Sequence, residues 1–301
     1  MFEKKIAKIK IVEVGPRDGL QNEKKIVSNA DKITFIEKLI ESGLKTIEVG
    51  SFVAPHKIPQ MDDSAQVLKA VLNKKGITFP TLVPNLMGLN RAIEAGAKDI
   101  SVFTATSETF NQKNINASID ESLKRIKEVT SSAKKIKVRG YISTVFGCPY
   151  EGKTSVKVLV KIMRELYSQG IYEISLGDTI GIANPLQVKK IIKELSKEFD
   201  IKKIAMHFHD TRGMALANSL VSLEMGITTF DSSSGGIGGC PYAKGATGNV
   251  ATEDMVNMFE SMGIKTGVNL DKLVQASGFM AEILGRELPS KVLRVLLSKA
   301  K

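Results

Sequence analysis

The sequence predicts an α/β fold in which strands and helices alternate eight times and close into a (β/α)8 barrel, the TIM-barrel architecture. Three observations support this prediction. Short runs rich in β-branched residues alternate with helical patterns of period 3.6, there are eight such runs, and most helical patterns stop at a glycine, as C-terminal capping predicts. The 301 residues also suit one barrel, which needs about 250.

The eight predicted strands cover residues 9–15, 46–52, 78–83, 99–105, 137–145, 173–178, 203–210 and 229–233. The helices between them are predicted to end near Gly43, Gly76, Gly96, Lys135, Gly170, Phe199, Gly226 and Gly263, and two more are predicted from Leu270 and Ser290. We therefore expect a single catalytic domain over residues 1–301, with a barrel core at 8–269 and a helical C-terminal extension at 270–301.

A doubly wound open sheet would also alternate strands and helices. Such a sheet normally carries a Gly-x-Gly-x-x-Gly turn after its first strand, where dinucleotides bind. The corresponding turn here, from Gly15 to Gly19, reads Gly-Pro-Arg-Asp-Gly and lacks that pattern. The closed barrel is therefore preferred.

The composition is that of an ordinary globular protein, with 43% hydrophobic and 25% charged residues and no apolar stretch of membrane-spanning length. Because the first predicted strand begins within a few residues of Met1, we expect no secretory segment. Only two cysteines occur, too few for a disulfide framework, which favours a reducing compartment. We expect a cytoplasmic protein that does not contact a membrane.

The net charge of +11 and the pI of about 9.4 are compatible with a nucleic-acid partner. The lysines, however, lie in helical surface patterns such as residues 189–194, without a long basic block or interleaved aromatic residues. We therefore expect no nucleic-acid partner. A positive surface equally favours a small anionic substrate, particularly one that carries phosphates.

His207 and His209 are two of only three histidines, and one residue separates them in the seventh predicted strand. Side chains alternate between the two faces of a strand, so both imidazoles should project to the same side. A divalent metal ion or a pair of interior histidines held by carboxylates would each explain them.

Polar groups recur at the C-terminal ends of the predicted strands, where barrel enzymes place their chemistry. The eighth loop, residues 235–249, is rich in glycine and suits a mobile lid or a close approach of backbone to a ligand. The other strand-end groups are Arg17 and Asp18 after the first strand, Glu48 on the second, Cys148 after the fifth, Asp178 on the sixth and Asp210 at the end of the seventh.

Several of these residues also have purely structural interpretations. Asp18 could cap the turn that follows it, and Asp178 could cap the next helix. Glu13 and Glu48 could point into the barrel and pair with Arg139, which is the preferred interpretation for Glu13.

The cysteines and the third histidine differ in their surroundings. Cys148 is expected to be a small buried residue, and His56, in a loop flanked by prolines, has no evident partner. Cys240 lies among glycines in the eighth loop, which is unsuited to core packing, and we expect a reactive thiol.

Two imidazoles, one carboxylate and the amide oxygen of Asn249 would leave two positions of an octahedral metal ion for a chelating substrate. This ligand set indicates Mg²⁺ or Mn²⁺ more than structural zinc. With one anionic ligand the centre keeps a net positive charge, which suits stabilisation of an alkoxide or an enolate.

Three sequence motifs resemble the 3-hydroxy-3-methylglutaryl-coenzyme A (HMG-CoA) lyase family. Residues 12–23 read Val-Glu-Val-Gly-Pro-Arg-Asp-Gly-Leu-Gln-Asn-Glu, residues 207–211 read His-Phe-His-Asp-Thr, and residues 239–243 read Gly-Cys-Pro-Tyr-Ala. The resemblance spans nearly the whole chain. The family belongs to a superfamily of metal-dependent lyase and synthase barrels, in which isopropylmalate and homocitrate synthases share the first two elements but lack the third.

The resemblance implies a role for each matching residue. Metal ligands would be Asp18, His207, His209 and Asn249, and either Asp18 or His207 would serve as the general base. Arg17 would stabilise the enolate oxygen, and Cys240 would protonate the enolate carbon.

A second group of residues would act around these. Glu48 and Asp178 would orient substrate, water or ligands, with Gln21 beside them, and Glu253 would support the eighth loop. Lys24 and Asn114 are candidates for contacts with coenzyme A (CoA).

The reaction implied is a retro-Claisen cleavage of HMG-CoA into acetyl-CoA and acetoacetate, dependent on Mg²⁺ or Mn²⁺. Leucine breakdown and ketone-body formation both remain open as pathways, and a homodimer is expected by analogy. A Claisen-type synthase on the same barrel is the nearest alternative. A basic nucleic-acid-binding protein with structural histidines is the alternative from another class, and it predicts no dependence on a divalent metal.

Overall fold

A computed structural model of the chain describes residues 6–239 and 248–299. Eight parallel strands form one sheet, in the order β1-β8-β7-β6-β5-β4-β3-β2. A parallel bridge between Glu13 and Ile47 joins β1 to the segment before β2 and brings the two ends of the sheet together. The strands are β1 (Lys10–Glu13), β2 (Gly50–Ser51), β3 (Thr81–Leu82), β4 (Asp99–Ala105), β5 (Lys137–Ser143), β6 (Glu173–Asp178), β7 (Ile204–Phe208) and β8 (Thr229–Ser232).

The predicted barrel is therefore confirmed, with two strands shorter than expected. Residues 46–52 and 78–83 contain regular strands of only two residues each, β2 and β3. Pro80 has no N–H to donate, which interrupts regular pairing at the start of β3. Isolated hydrogen bonds still join the two segments outside the regular strands. For example, Val49 N donates to the carbonyl oxygen of Pro80 at 3.1 Å.

Helices surround the sheet, and most of them end shortly before the glycines that the sequence indicated. In α6 and α8 the chain leaves the helix through Gly170 and Gly226, whose φ angles of 82° and 96° are costly for residues with a Cβ. The helices are α1 (Asn29–Glu41), α2 (Ser64–Val71), α3 (Leu86–Glu94), α4 (Glu108–Ile115), α5 (Ile119–Ala133), α6 (Val156–Ser168), α7 (Pro185–Leu195), α8 (Ala215–Glu224), α9 (Thr252–Ser261), α10 (Leu270–Leu284) and α11 (Lys291–Lys299).

Helix α4 was not expected as a separate element. It lies in the loop after β4, and Asn116, at a left-handed φ of 49°, ends it. Ser118 then begins α5 with a reciprocal capping box to Glu121. The sequence pattern had predicted one helix ending near Lys135 over this whole region.

The core has an apolar layer outside the sheet and a polar layer within the barrel. Apolar side chains of the helices, such as Phe35 and Leu39 of α1, are fully buried against the strands. Inside the barrel, Glu48, Arg139 and Asp231 are buried as well, although each is charged in its ordinary state. Charges that are buried in this way need partners, so the interior is organised by ion pairs.

The predicted C-terminal extension consists of α10 and α11. Helix α10 packs against α1 and against a 3-10 turn at Ser234–Gly236, which begins the eighth loop. Asp254 of α9 holds the start of α11, because its carboxylate accepts from the Ser290 hydroxyl and the Val292 N–H. Among the described residues, no helix is both long enough and apolar enough to span a membrane.

Candidate active site

The turn after β1 places Arg17 and Asp18 at the C-terminal end of the barrel. Residues Gly15–Gly19 form a single π-helical turn, a local irregularity that often occurs at functional sites. Asp18 Oδ1 accepts from Arg17 Nη1 at 2.6 Å and from Gln21 Nε2 at 3.1 Å. Its other oxygen, Oδ2, accepts from Asn249 Nδ2 at 2.8 Å. These contacts are to side chains of the site, which disfavours the interpretation of Asp18 as a turn cap.

The two histidines face Asp18 from the end of β7. The ring centroids of His207 and His209 lie 5.3 Å apart, and His207 Nε2 lies 4.0 Å from Asp18 Oδ2. One potential ligand atom from each of these three residues lies within 4.8 Å of the others. The sequence had placed these groups at strand ends, and the structure brings them together.

Asn249 completes this group from the far end of the eighth loop. Its backbone forms an antiparallel bridge with His209, which fixes it beside β7. Asn249 Oδ1 is buried and has no hydrogen-bond partner among the described residues. A buried acceptor without a partner is costly, and a bound cation would satisfy it. The residues therefore fit the divalent cation that the sequence predicted.

The charge states of these groups also suit a cation. Burial alone would raise the pKa of Asp18, but Arg17 and the two histidines outweigh it and lower that pKa, so the carboxylate is ionised. Burial and the neighbouring His207 lower the pKa of His209 to about 4. Its ring is therefore neutral near pH 7, and neutral imidazole is the form that binds metals.

Glu48 of the second strand region holds Arg17 beside Asp18. Arg17 Nε and Nη2 both approach Glu48 Oε2, at 2.7 and 2.5 Å, and Tyr141 OH donates to the same oxygen at 3.3 Å. Ser101 Oγ donates to Oε1. The structural interpretation of Glu48 as a partner of Arg139 is wrong, because its buried charge is balanced by Arg17.

Glu13 does not pair with Arg139 either, contrary to expectation. Its Oε1 accepts from the N–H groups of Gly15 and Ser234, both at 2.8 Å, and its Oε2 accepts from Thr252 Oγ1 at 2.7 Å. Burial raises the pKa of Glu13 to about 7. Glu13 thus fastens the first loop to the start of the eighth.

The partners of Arg139 lie on the other side of the barrel interior. Its Nε donates to Glu173 at 2.7 Å, and its Nη2 donates to Asp231 Oδ1 at 2.7 Å. Asp231 also lies 3.3 Å from His207 Nδ1. Asp231 was not among the predicted site residues, although an aspartate within a predicted strand was a usable signal. Tyr141, whose ring lies 5.6 Å from the guanidinium carbon of Arg17, was not predicted either.

Asp178 and Glu253 both hold loops of the site. Asp178 accepts from the N–H groups of Ile182 and Ala183, at 3.0 Å each, which agrees with a capping role before α7. Burial raises its pKa to about 6. Glu253 accepts from the N–H of Gly235 at 2.8 Å, at the base of the eighth loop.

A cavity of about 560 Å³ opens beside these groups, and Arg17, Asp18, His207 and His209 form part of its wall. This volume is typical of sites for small molecules and cofactors. Its wall also has the candidate Asn114 of α4, three residues of α5 (Arg125, Ile126 and Val129) and Lys57 from the loop after β2.

Four other residues singled out in the sequence have different outcomes. Lys24 is exposed after the first loop and does not line the cavity. Cys240 lies outside the described residues, so its predicted role stays a prediction. Gly239, the residue before it, lines the cavity, and its carbonyl oxygen accepts from Asn22 Nδ2 at 3.1 Å. Cys148 is buried, as expected, and His56 is exposed.

Comparisons with known proteins agree with this geometry. A family model described as HMGL-like matches residues 8–280. The chain is 50% identical over 293 residues to hydroxymethylglutaryl-CoA lyase YngG of Bacillus subtilis, covering 97% of this chain and 98% of that protein. It is 51% identical over 287 residues to the mitochondrial hydroxymethylglutaryl-CoA lyase of Homo sapiens, with 95% and 88% covered.

Two solved structures have the same fold over nearly their whole length. The HMG-CoA lyase of Bacillus subtilis matches with a TM-score of 0.96 at 49% identity, covering 99% of this chain and 100% of that one. An HMG-CoA lyase from Acinetobacter baumannii, in complex with coenzyme A and 3-methylmalate, matches with a TM-score of 0.92 at 39% identity, with 95% and 94% covered. The chain therefore belongs to the HMGL-like family, among the hydroxymethylglutaryl-CoA lyases, which are carbon–carbon lyases.

Proposed function

We propose that this chain cleaves HMG-CoA to acetyl-CoA and acetoacetate, and that Asp18, His207, His209 and Asn249 hold the divalent cation it needs, Mg²⁺ or Mn²⁺. The observation that carries the proposal is the convergence of three ligand atoms within 4.8 Å of one another. They lie on the wall of a cavity of about 560 Å³, beside a buried arginine.

The oxygen and nitrogen ligands favour a hard cation such as Mg²⁺ or Mn²⁺ over a thiolate-bound metal. When bound, such a cation would polarise the tertiary hydroxyl at C3 of the substrate and lower its pKa. A cation held by these four residues would favour a substrate that can chelate it through that hydroxyl and a neighbouring carboxylate oxygen.

Proton removal from the C3 hydroxyl begins the reaction. Asp18, ionised because Arg17 lowers its pKa, and His207, which lies 4.0 Å from it, are the two candidate bases. The electron pair of the O–H bond then forms the C3 carbonyl of acetoacetate. The C2–C3 bond breaks, and its electrons pass to C2 and the thioester oxygen as an enolate.

Arg17 is placed to stabilise that enolate. Its guanidinium has five N–H donors, and three of them are used in the contacts with Glu48 and Asp18. Because these carboxylates fix the group in advance, it can donate to the developing oxyanion without reorganising. Cys240 would then deliver a proton to C2, which completes acetyl-CoA.

The coenzyme A moiety would lie along the cavity toward α4 and α5. Asn114, Lys57 and Arg125 line this part, and their polar and positive groups suit the amides and phosphates of the coenzyme. The structure of the related Acinetobacter enzyme is of a complex with coenzyme A and 3-methylmalate, which supports this class of ligand. Lys24 stays a weaker candidate. The expected homodimer and cytoplasmic location are likewise proposals.

The purified protein should be incubated with HMG-CoA after treatment with EDTA, and again after Mg²⁺ is restored. We expect acetyl-CoA and acetoacetate in equal amounts, with activity lost in EDTA and recovered with Mg²⁺. A parallel incubation with acetyl-CoA and 2-oxo acids, followed by assay of free thiol, tests the synthase alternative. Undiminished cleavage in EDTA would contradict the metal site.

A further inference from the structure

Asp231, on β8, lies inside the barrel next to His207. Its Oδ2 is 3.3 Å from His207 Nδ1, and the opposite ring nitrogen, Nε2, lies 4.0 Å from Asp18 Oδ2. An ionised carboxylate can only accept a hydrogen bond, so this contact requires the proton of neutral His207 to be on Nδ1. Nε2 then carries a lone pair that faces the other ligand atoms.

Asp231 is itself held rigidly. Its Oδ1 accepts from Arg139 Nη2 at 2.7 Å, and its Oδ2 accepts from Ser175 Oγ at 2.7 Å and from Arg139 Nη1 at 3.3 Å. Arg139 is fixed in turn by Glu173, which accepts from Nε at 2.7 Å. Neither Asp231 nor Arg139 is more than 1% exposed. The positive charge of Arg139 offsets the cost of burying an ionised carboxylate.

We propose that Asp231 is a positioning residue for the cation site: it fixes the ring orientation and tautomer of His207 and thereby raises the affinity of the site for a divalent cation. This inference rests on the proposed function, because it assumes that His207 is a ligand. Outer carboxylates that orient ligating histidines are a general feature of metal sites.

A purely structural role, in which Asp231 only neutralises Arg139, makes a different prediction. Glu173 shares that role, since it also pairs with Arg139, but no described contact joins it to His207. The substitutions Asp231→Asn and Glu173→Gln therefore remove the same charge from the same network. Only the first acts directly on a proposed ligand.

Asp231→Asn cannot satisfy both neighbours. If its NH2 group faces His207, the ring must move its proton to Nε2, which directs an N–H at the cation. If the NH2 group faces Arg139 instead, two donors oppose each other and the side chain must shift. Either arrangement should weaken cation binding.

The test is the Kd for Mn²⁺ alone, measured by electron paramagnetic resonance of the free ion in titrations of the full chain. We expect Asp231→Asn to raise the Kd about 10- to 100-fold and Glu173→Gln to change it far less. An unchanged Kd in Asp231→Asn, or an equal rise in both variants, would overturn the inference. A wild-type chain with no affinity for Mn²⁺ would overturn the proposed function as well, so the two failures are distinguishable.

A second measurement decides the matter even if Asp231→Asn does not fold. The sequence has only three histidines, so the ring nitrogens can be resolved by two-bond ¹H–¹⁵N correlation on the wild-type chain loaded with Mg²⁺. A His207→Gln spectrum assigns the signals. We expect His207 as the Nδ1–H tautomer, and an Nε2–H tautomer would overturn the inference.

Discussion

Glu48→Gln should lower both the stability and the turnover of the enzyme, because Glu48 is the buried partner that holds Arg17. Two Arg17 nitrogens lie at 2.7 and 2.5 Å from Glu48 Oε2, and the carboxylate is 0% exposed. Removing one partner of a buried ion pair costs about 3–5 kcal/mol. Because Arg17 keeps its contact with Asp18, we expect the lower end of that range, about 3 kcal/mol.

Glu48→Gln should lower turnover because Arg17 is no longer held in a fixed orientation. Removing one preorganised oxyanion donor typically lowers kcat about 100- to 1,000-fold. In Glu48→Gln the guanidinium remains but its orientation does not, so we expect a fall of about 100-fold, equivalent to about 2.7 kcal/mol. Because Glu48 acts through Arg17 on the transition state, KM should change much less than kcat.

Stability is measured by urea unfolding monitored by circular dichroism, and turnover by the steady-state release of acetoacetate at saturating Mg²⁺. Ser101→Ala is the matched control, because it removes only the hydrogen bond to Glu48 Oε1 and leaves the ion pair intact. It should cost about 1 kcal/mol of stability. A Glu48→Gln enzyme with wild-type kcat and an unchanged unfolding midpoint would refute this account of Arg17.

Three other predictions concern the thiol, a metal ligand and a buried acid. Cys240→Ala should slow turnover about 100- to 10,000-fold with little change in substrate affinity, and near-normal turnover would reject its role as proton donor. His209→Ala should abolish Mn²⁺ binding measured by electron paramagnetic resonance, and retained binding would remove His209 from the ligand set. Burial raises the pKa of Glu253 from 4.5 to about 8, so the folded chain keeps a proton that the unfolded chain loses. The unfolding free energy should therefore fall as pH rises through that window. Glu253→Gln should remove this part of the slope in urea unfolding, whereas exposed Glu198→Gln should not.

Periodicity was enough to predict the barrel, because each helix buries one apolar face against the sheet and most helices need a residue that tolerates positive φ near their end. Because the chemistry of barrels lies at the C-terminal ends of the strands, the sequence also predicted that Asp18, His207 and His209 lie close together, although they are distant in the chain. The same rule applies to Asn249, a polar residue at the end of the eighth loop, where the chain pairs with His209 after β7.

The pairing of the interior charges could not be predicted in this way. Alternation indicates that Glu48 and Arg139 point inward, but which charges meet depends on strand register and barrel stagger. In the structure Arg139 meets Glu173 on the adjacent strand, with which it is in register, and Asp231 across the interior. Arg17, which pairs with Glu48, lies in a π-helical turn that no pattern in the sequence predicts.

The cation site can be tested most directly by anomalous diffraction from crystals soaked in Mn²⁺. The proposed chemistry predicts one strong anomalous peak, bounded by Asp18, His207, His209 and Asn249. A peak elsewhere on the chain, with none between the two imidazoles and Asp18, would contradict it.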